Sequence, residues 1–205
     1  AQLDDGDQRS LSTVFHERRG TIDASIEYLE TLAGNYARLS PTPERRPCDL
    51  NAIVGEAVRL NGEDDSVDLR VNLSEGLPPV VGDPIAFRRI LDNLIANAVD
   101  SLVDGRGAVT ITTTRADSGG QPTVRLTVAD TGCGMTDAET EKIFNDFYTT
   151  KATGTGLGLS IVRRLVLDAN GTVSATSHPG GGTVVTVDTP VGQVVVPEPT
   201  EERAG

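Results

Sequence analysis

Two asparagines stand one helical turn apart in "GDPIAFRRILDNLIANAVDSL", so Asn93 and Asn97 present their amides on one face of a helix. Neutral amide oxygens are good ligands for a hard ion such as Mg²⁺ when phosphates supply the negative charge. Further along, "ADTGCGM" puts Asp130 at a strand end, with Gly132 and Gly134 in a tight turn after it. A carboxylate there, beside bare backbone, can accept from an amino group such as the exocyclic amine of adenine. "FNDFYTTKATG" adds aromatics, two threonine hydroxyls and Lys151, which can meet a terminal phosphate as a point charge. Gly154, Gly156 and Gly158 then open an apolar helical pattern of Leu157, Leu159, Ile161, Val162 and Leu165. Glycines let backbone approach a ligand closely, and a helix N-terminus offers unpaired N–H groups to an anion.

Each piece also has a plainer reading: two Asn on a solvated helix face, an Asp-x-Gly turn, a flexible turn before a helix. The glycine stretch is not a P-loop, because no Gly-Lys-Ser/Thr closes it. It is not a dinucleotide fingerprint, because Leu159 occupies the last glycine position and no strand directly precedes it.

The elements that must carry these groups follow from caps and periodicity. Asp83 and Pro84 start the asparagine-bearing helix, as cap and first residue. Asp49 can cap a shorter helix, "LNAIVGEAVRL". "VDLRVNL", "AVTITTT" and "TVRLTVAD" read as strands, the last two joined by a hairpin through Ser118-Gly119-Gly120. Thr136 to Glu139 is a capping box, Asn170-Gly171 closes the glycine-led helix, and "GTVSATS" and "TVVTVDT" form a hairpin across "HPGGG". Residues 48–192 therefore predict an α/β domain whose antiparallel-rich sheet is covered on one face by helices. Before it, Phe15, Ile22, Leu29 and Tyr36 recur every seven residues with Ile26 and Ala33 between them. That pattern predicts a coiled-coil-like helix within 1–40, whose seam needs a homodimer partner or another helix. Residues 41–47 read as a Pro-rich linker and 193–205 as a flexible tail.

The 205 residues carry a net charge of −12, which argues against binding a nucleic-acid backbone or an anionic membrane surface. Cys48 and Cys133 stand in unlike contexts and are expected to be free thiols in a reducing, cytoplasmic compartment. No apolar run approaches spanning length, although the chain could be the cytoplasmic part of a larger sensor.

In their order along the chain, "NLIANAV", "DTGCGM", "FNDFYTTK" and "GTGLGLS" resemble the N, G1, F and G2 boxes of sensor histidine kinases, within the gyrase–Hsp90–histidine kinase–MutL superfamily. "TTKxxGTGLGL" is the most specific part. The resemblance covers roughly 48–192. It implies a two-layer Bergerat-type α/β sandwich that binds ATP and Mg²⁺ and phosphorylates a histidine for relay to a response regulator receiver domain. It implies that Asn97 holds Mg²⁺ and that Asn93 lines the triphosphate, acting in transfer with Lys151 at the γ-phosphate. It implies that Asp130 takes the adenine amine and that Gly132 and Gly134 shape the base pocket. Thr150, Gly154, Thr155, Gly156, Leu157 and Gly158 would join the phosphate-facing cradle, and Thr136 to Thr153 would form the lid. Two positions depart from the pattern: Asp100 stands where many kinases have lysine, and Asp146 where proline often precedes the F-box Phe147.

His16 precedes Glu17 as in a phosphoacceptor box, but Thr21 stands where that box has proline, and only one helix separates His16 from the linker. His16 is therefore read as a surface residue of the second dimerisation helix, with the acceptor helix absent from the chain. His178, in the "HPGGG" turn, reads as solvated. The alternatives are an ATP-binding pseudokinase scaffold and an anti-sigma-factor-type serine kinase.

Overall fold

The computed structural model describes residues 45–61, 67–151 and 154–192. The heptad helix, His16 and the tail lie outside the described residues.

Helix α1, Leu50–Asn61, starts where Asp49 Oδ1 accepts from the backbone N–H groups of Asn51 at 2.9 Å and Ala52 at 3.2 Å. Strand β2, Val67–Leu73, follows. Helix α2, Pro84–Ser101, is capped by Asp83, whose carboxylate accepts from Ile85 N–H. Its buried set, Phe87, Ile90, Leu91, Leu94, Ile95 and Ala98, falls at i, i+3, i+4, i+7, i+8 and i+11 along one face. Burying each of the larger side chains is worth roughly 1.5–3 kcal/mol, so this stripe fixes how α2 is turned about its axis.

β4, Gly107–Ser118, and β5, Gln121–Asp130, form the expected hairpin, with Gly119 and Gly120 at φ 62° and 84°. That left-handed pair matches the twist of a two-residue hairpin turn. A short helix α3, Asp137–Thr140, carries the complete capping box of Thr136 and Glu139. Helix α4, Gly158–Asp168, closes through Asn170 at φ 58°. β6, Thr172–Ser177, and β7, Thr183–Pro190, make the last hairpin.

Within the main sheet the order is β2-β4-β5-β7-β6, with β2–β4 parallel and the other pairs antiparallel. Alternate residues Val109 and Ile111, then Val124, Leu126 and Val128, then Val185 and Val187 point to the buried side. Against them pack Val54 and Ala57 of α1, the α2 stripe, and Val162 and Val166 of α4. The two-layer, mostly antiparallel α/β sandwich is thus the arrangement expected.

One boundary differs. Arg46 and Pro47, expected in the linker, form strand β1 (Arg46–Cys48) with Cys48, antiparallel to β3, Val80–Gly82. Proline is tolerated because this is a short two-stranded ribbon, where its missing N–H need not interrupt a ladder. No helix among the described residues is long and apolar enough to cross a membrane.

Candidate functional site

A cavity of about 580 Å³ opens between α2, the end of β5, the α3 region and the start of α4. Leu94, Ala98, Val128, Ile143 and Val185 give it an apolar lining, a setting suited to a flat heterocycle. The spacing that buries Leu94 and Ala98 also brings half-buried Asn97 to the cavity, between them on the helix. Asn93 lies one turn earlier and is not among the lining residues. Its Nδ2 donates to the Arg89 carbonyl at 2.8 Å, which leaves its Oδ1 facing the first residue of α4. A Cβ on Gly158 would stand 3.1 Å from Asn93 Oδ1 and 3.2 Å from Asn97 Nδ2. Glycine there lets the start of α4 sit directly on the asparagine pair.

That start is unlike the other helix beginnings. α1, α2 and α3 each have a side chain capping their first N–H groups, whereas α4 begins at Leu157 with no side-chain cap. Gly158 and Leu159, in its first turn, line the cavity. Unpaired N–H groups and the positive end of the helix dipole therefore face the space beside Asn97, an arrangement that receives anions. Gly154, Thr155 and Gly156 line the same end, as do Thr150 and Lys151. Leu157 does not: its side chain is buried in the protein at 3% exposure. Lys151 Nζ stands 2.9 Å from Asp100 Oδ2.

Asp130 lines the same cavity. Its Oδ1 accepts from the backbone N–H of Gly132 at 2.8 Å and of Thr183 at 3.2 Å. Both bonds fall on one oxygen, so the second carboxylate oxygen keeps its lone pairs for a donor in the cavity. Gly132 contributes this N–H and is itself buried behind the lining. Gly134 lines the cavity at φ 64°, and a Cβ on it would lie 1.9 Å from the His178 carbonyl oxygen. The turn after Asp130 is thus pressed onto the β6–β7 turn, and Gly180 N–H donates to the Cys133 carbonyl at 2.6 Å. The His178 residue is exposed, while its backbone helps hold the site.

Sequence reasoning did not single out Ser177 and Thr183. Ser177 Oγ accepts from Met135 N–H at 2.9 Å and lies 2.9 Å from Thr183 Oγ1, tying the β6–β7 hairpin to the Asp130 turn. Their only local signal is their place at either end of a glycine-rich hairpin. In α3, Glu139 also lines the cavity. The Thr136 backbone N–H, and then the Thr136 hydroxyl, hold its carboxyl below the usual carboxylate range.

No three His, Cys, Asp or Glu side chains converge as a metal site among the described residues. Near the start of α4 the oxygen donors are the Asn93 and Asn97 amides and the lysine-paired Asp100 carboxylate, which suit Mg²⁺ only when phosphate oxygens complete its shell. The residues present therefore fit an ion that arrives with a polyphosphate.

Residues 82–193 match the family described as histidine kinase-, DNA gyrase B-, and HSP90-like ATPase. The chain is 32% identical to the sensor histidine kinase ZraS of Escherichia coli over 146 residues, covering 70% of this chain and 30% of that protein. It is 39% identical to the virulence sensor protein BvgS of Bordetella bronchiseptica over 193 residues, covering 89% of this chain and 15% of that protein. The chain thus spans less than a third of either relative. Among solved structures, the catalytic domain of histidine kinase ThkA superposes with TM-score 0.63 at 28% identity, over 72% of this chain and 96% of that one. Full-length ShkA in complex with AMPPNP superposes with TM-score 0.66 at 28% identity, over 93% of this chain and 40% of that one.

Proposed function

Since the chain belongs to the family of histidine kinase-, DNA gyrase B- and HSP90-like ATPases, we propose that its cavity binds Mg-ATP and that it transfers the γ-phosphoryl group to a histidine imidazole, for relay to a response regulator receiver domain. The observation that carries this reading is the uncapped start of α4 seated on the Asn93–Asn97 pair, bordering one cavity with the Asp130 carboxylate. The helix start suits a polyphosphate and the carboxylate an aminopurine. Asp130 would accept from the exocyclic amine of adenine, which guanine cannot offer at that position. The amide of Asn97 would hold Mg²⁺, which when bound neutralises charge on the phosphates.

Phosphoryl transfer needs positioning and charge neutralisation more than covalent help from the enzyme. The first-turn N–H groups of α4 would fix the phosphates. Lys151 would carry positive charge to the γ-phosphate, and Asn93 would line the triphosphate. The imidazole nitrogen then attacks the γ-phosphorus in line, the bond to the β–γ bridging oxygen breaks, and ADP leaves. The name of the relative ZraS, a sensor histidine kinase, favours histidine over serine as acceptor. The partners we propose are a receiver domain and a second copy of the chain, met through the heptad pattern within residues 1–40, in the cytoplasm. A second reading, a scaffold that binds ATP without transfer, is favoured by Asp100, which engages Lys151.

The test is intact-protein mass after incubation with Mg-ATP, with Asn97→Ala as control. One acid-labile phosphoryl group gained by the wild type and lost in the control supports transfer, and peptide mapping then decides whether His16 is the acceptor. ATP binding without any gain, even when an acceptor helix hairpin is added, supports the scaffold reading.

A further inference from the structure

Asp100 sits in the last turn of α2, one turn beyond Asn97, and lines the same cavity. Its Oδ2 accepts from Lys151 Nζ at 2.9 Å across 51 positions of sequence. The bond joins the rigid helix carrying the asparagines to the segment that leads from α3 to α4. Lys151 also lines the anion end of the cavity, beside Gly154 and Thr155. A triphosphate entering there and the Asp100 carboxylate would compete for one ammonium group.

We propose that Asp100 sets nucleotide affinity as a clasp on Lys151, holding the lysine in the nucleotide-free protein until a terminal phosphate displaces it. This rests on the ATP-binding reading above. The two side chains are 38% and 61% exposed, so the clasp is weak enough for a triphosphate to open. Exposed pairs of this kind shift an equilibrium by about two- to five-fold. A γ-phosphate is needed to claim the lysine, so the clasp raises the threshold for ATP more than for ADP.

A double-mutant cycle on the full 205-residue chain tests this. Mg-ATP and Mg-ADP dissociation constants are measured by calorimetry for wild type, Asp100→Asn, Lys151→Ala and the double variant, with circular dichroism to confirm folding. Asp100→Asn is expected to tighten ATP about two- to five-fold, and ADP less. In the Lys151→Ala background that gain should largely vanish, and raising the salt should shrink it. Unchanged or weakened ATP binding in Asp100→Asn overturns the clasp. So does equal tightening in both backgrounds, which would be plain charge repulsion. A wild type that binds no Mg-ATP sinks the nucleotide reading itself; binding without coupling sinks only the clasp.

Discussion

At the scale of single residues, the two oxygens of Asp130 differ: one is tied to the backbone, and the other is the one proposed to read adenine. Its Oδ1 is committed to the backbone N–H groups of Gly132 and Thr183, which come from different strands' ends. This anchors the side chain and leaves the other oxygen for a ligand. Asp130→Asn can keep the carbonyl on those two N–H groups, so the fold should survive. Its NH₂ would then face the adenine amine, donor against donor. Hydrogen bonds to a charged group are worth about 1.5–3 kcal/mol, so ATP binding measured by calorimetry should weaken roughly 10- to 100-fold. Melting temperature should change little. Unchanged affinity would mean that adenine is read elsewhere.

At the scale of elements, the site is a junction of two turns and two helix ends, the end of α2 and the start of α4. The turn after β5 lies against the end of α2, where Cys133 N–H donates to the Ser101 carbonyl at 3.0 Å. On its other side it meets the β6–β7 turn, with Gly134 almost touching the His178 carbonyl. Gly134→Ala would force a methyl group into that carbonyl at φ 64°, where an L-residue is already strained. Incompatible substitutions at such positions cost on the order of 1–3 kcal/mol. We expect a lower melting temperature together with weaker ATP binding, since the same shift displaces Thr183 from Asp130. A variant that melts normally and binds ATP normally would show that the two turns are not coupled.

At the scale of the whole molecule, the two cysteines report on what is inside and what is at the site. Cys48 is buried, with its sulfur 3.2 Å from the Gly82 carbonyl, and burial pushes its thiol up. Cys133 is exposed and lines the cavity. Iodoacetamide at neutral pH should therefore label Cys133 and spare Cys48 until the chain unfolds. Mg-ATP should slow the labelling; peptide mapping that finds Cys133 equally reactive with and without nucleotide would remove the cavity as the binding place. Much of this architecture is readable from local sequence. The caps at Asp49, Asp83 and Thr136, the α2 stripe and the Gly119-Gly120 turn all depend on residues within a few positions of one another, where backbone geometry and side-chain period act directly. So do the asparagine spacing and the glycine-led start of α4. What lay beyond reach were contacts between residues far apart in sequence. β1 is three residues long and contains proline, so only its pairing with β3 makes it a strand. Thr183 reaches Asp130 across 53 positions, and Lys151 reaches Asp100 across 51. The sequence by itself determined the described helices, the hairpins and the candidate groups for a nucleotide, because caps, side-chain period and turn residues are short-range features. The tertiary structure alone decided which of those groups meet, because the choice of neighbour depends on how the α2 stripe and the sheet pack, which no local pattern encodes.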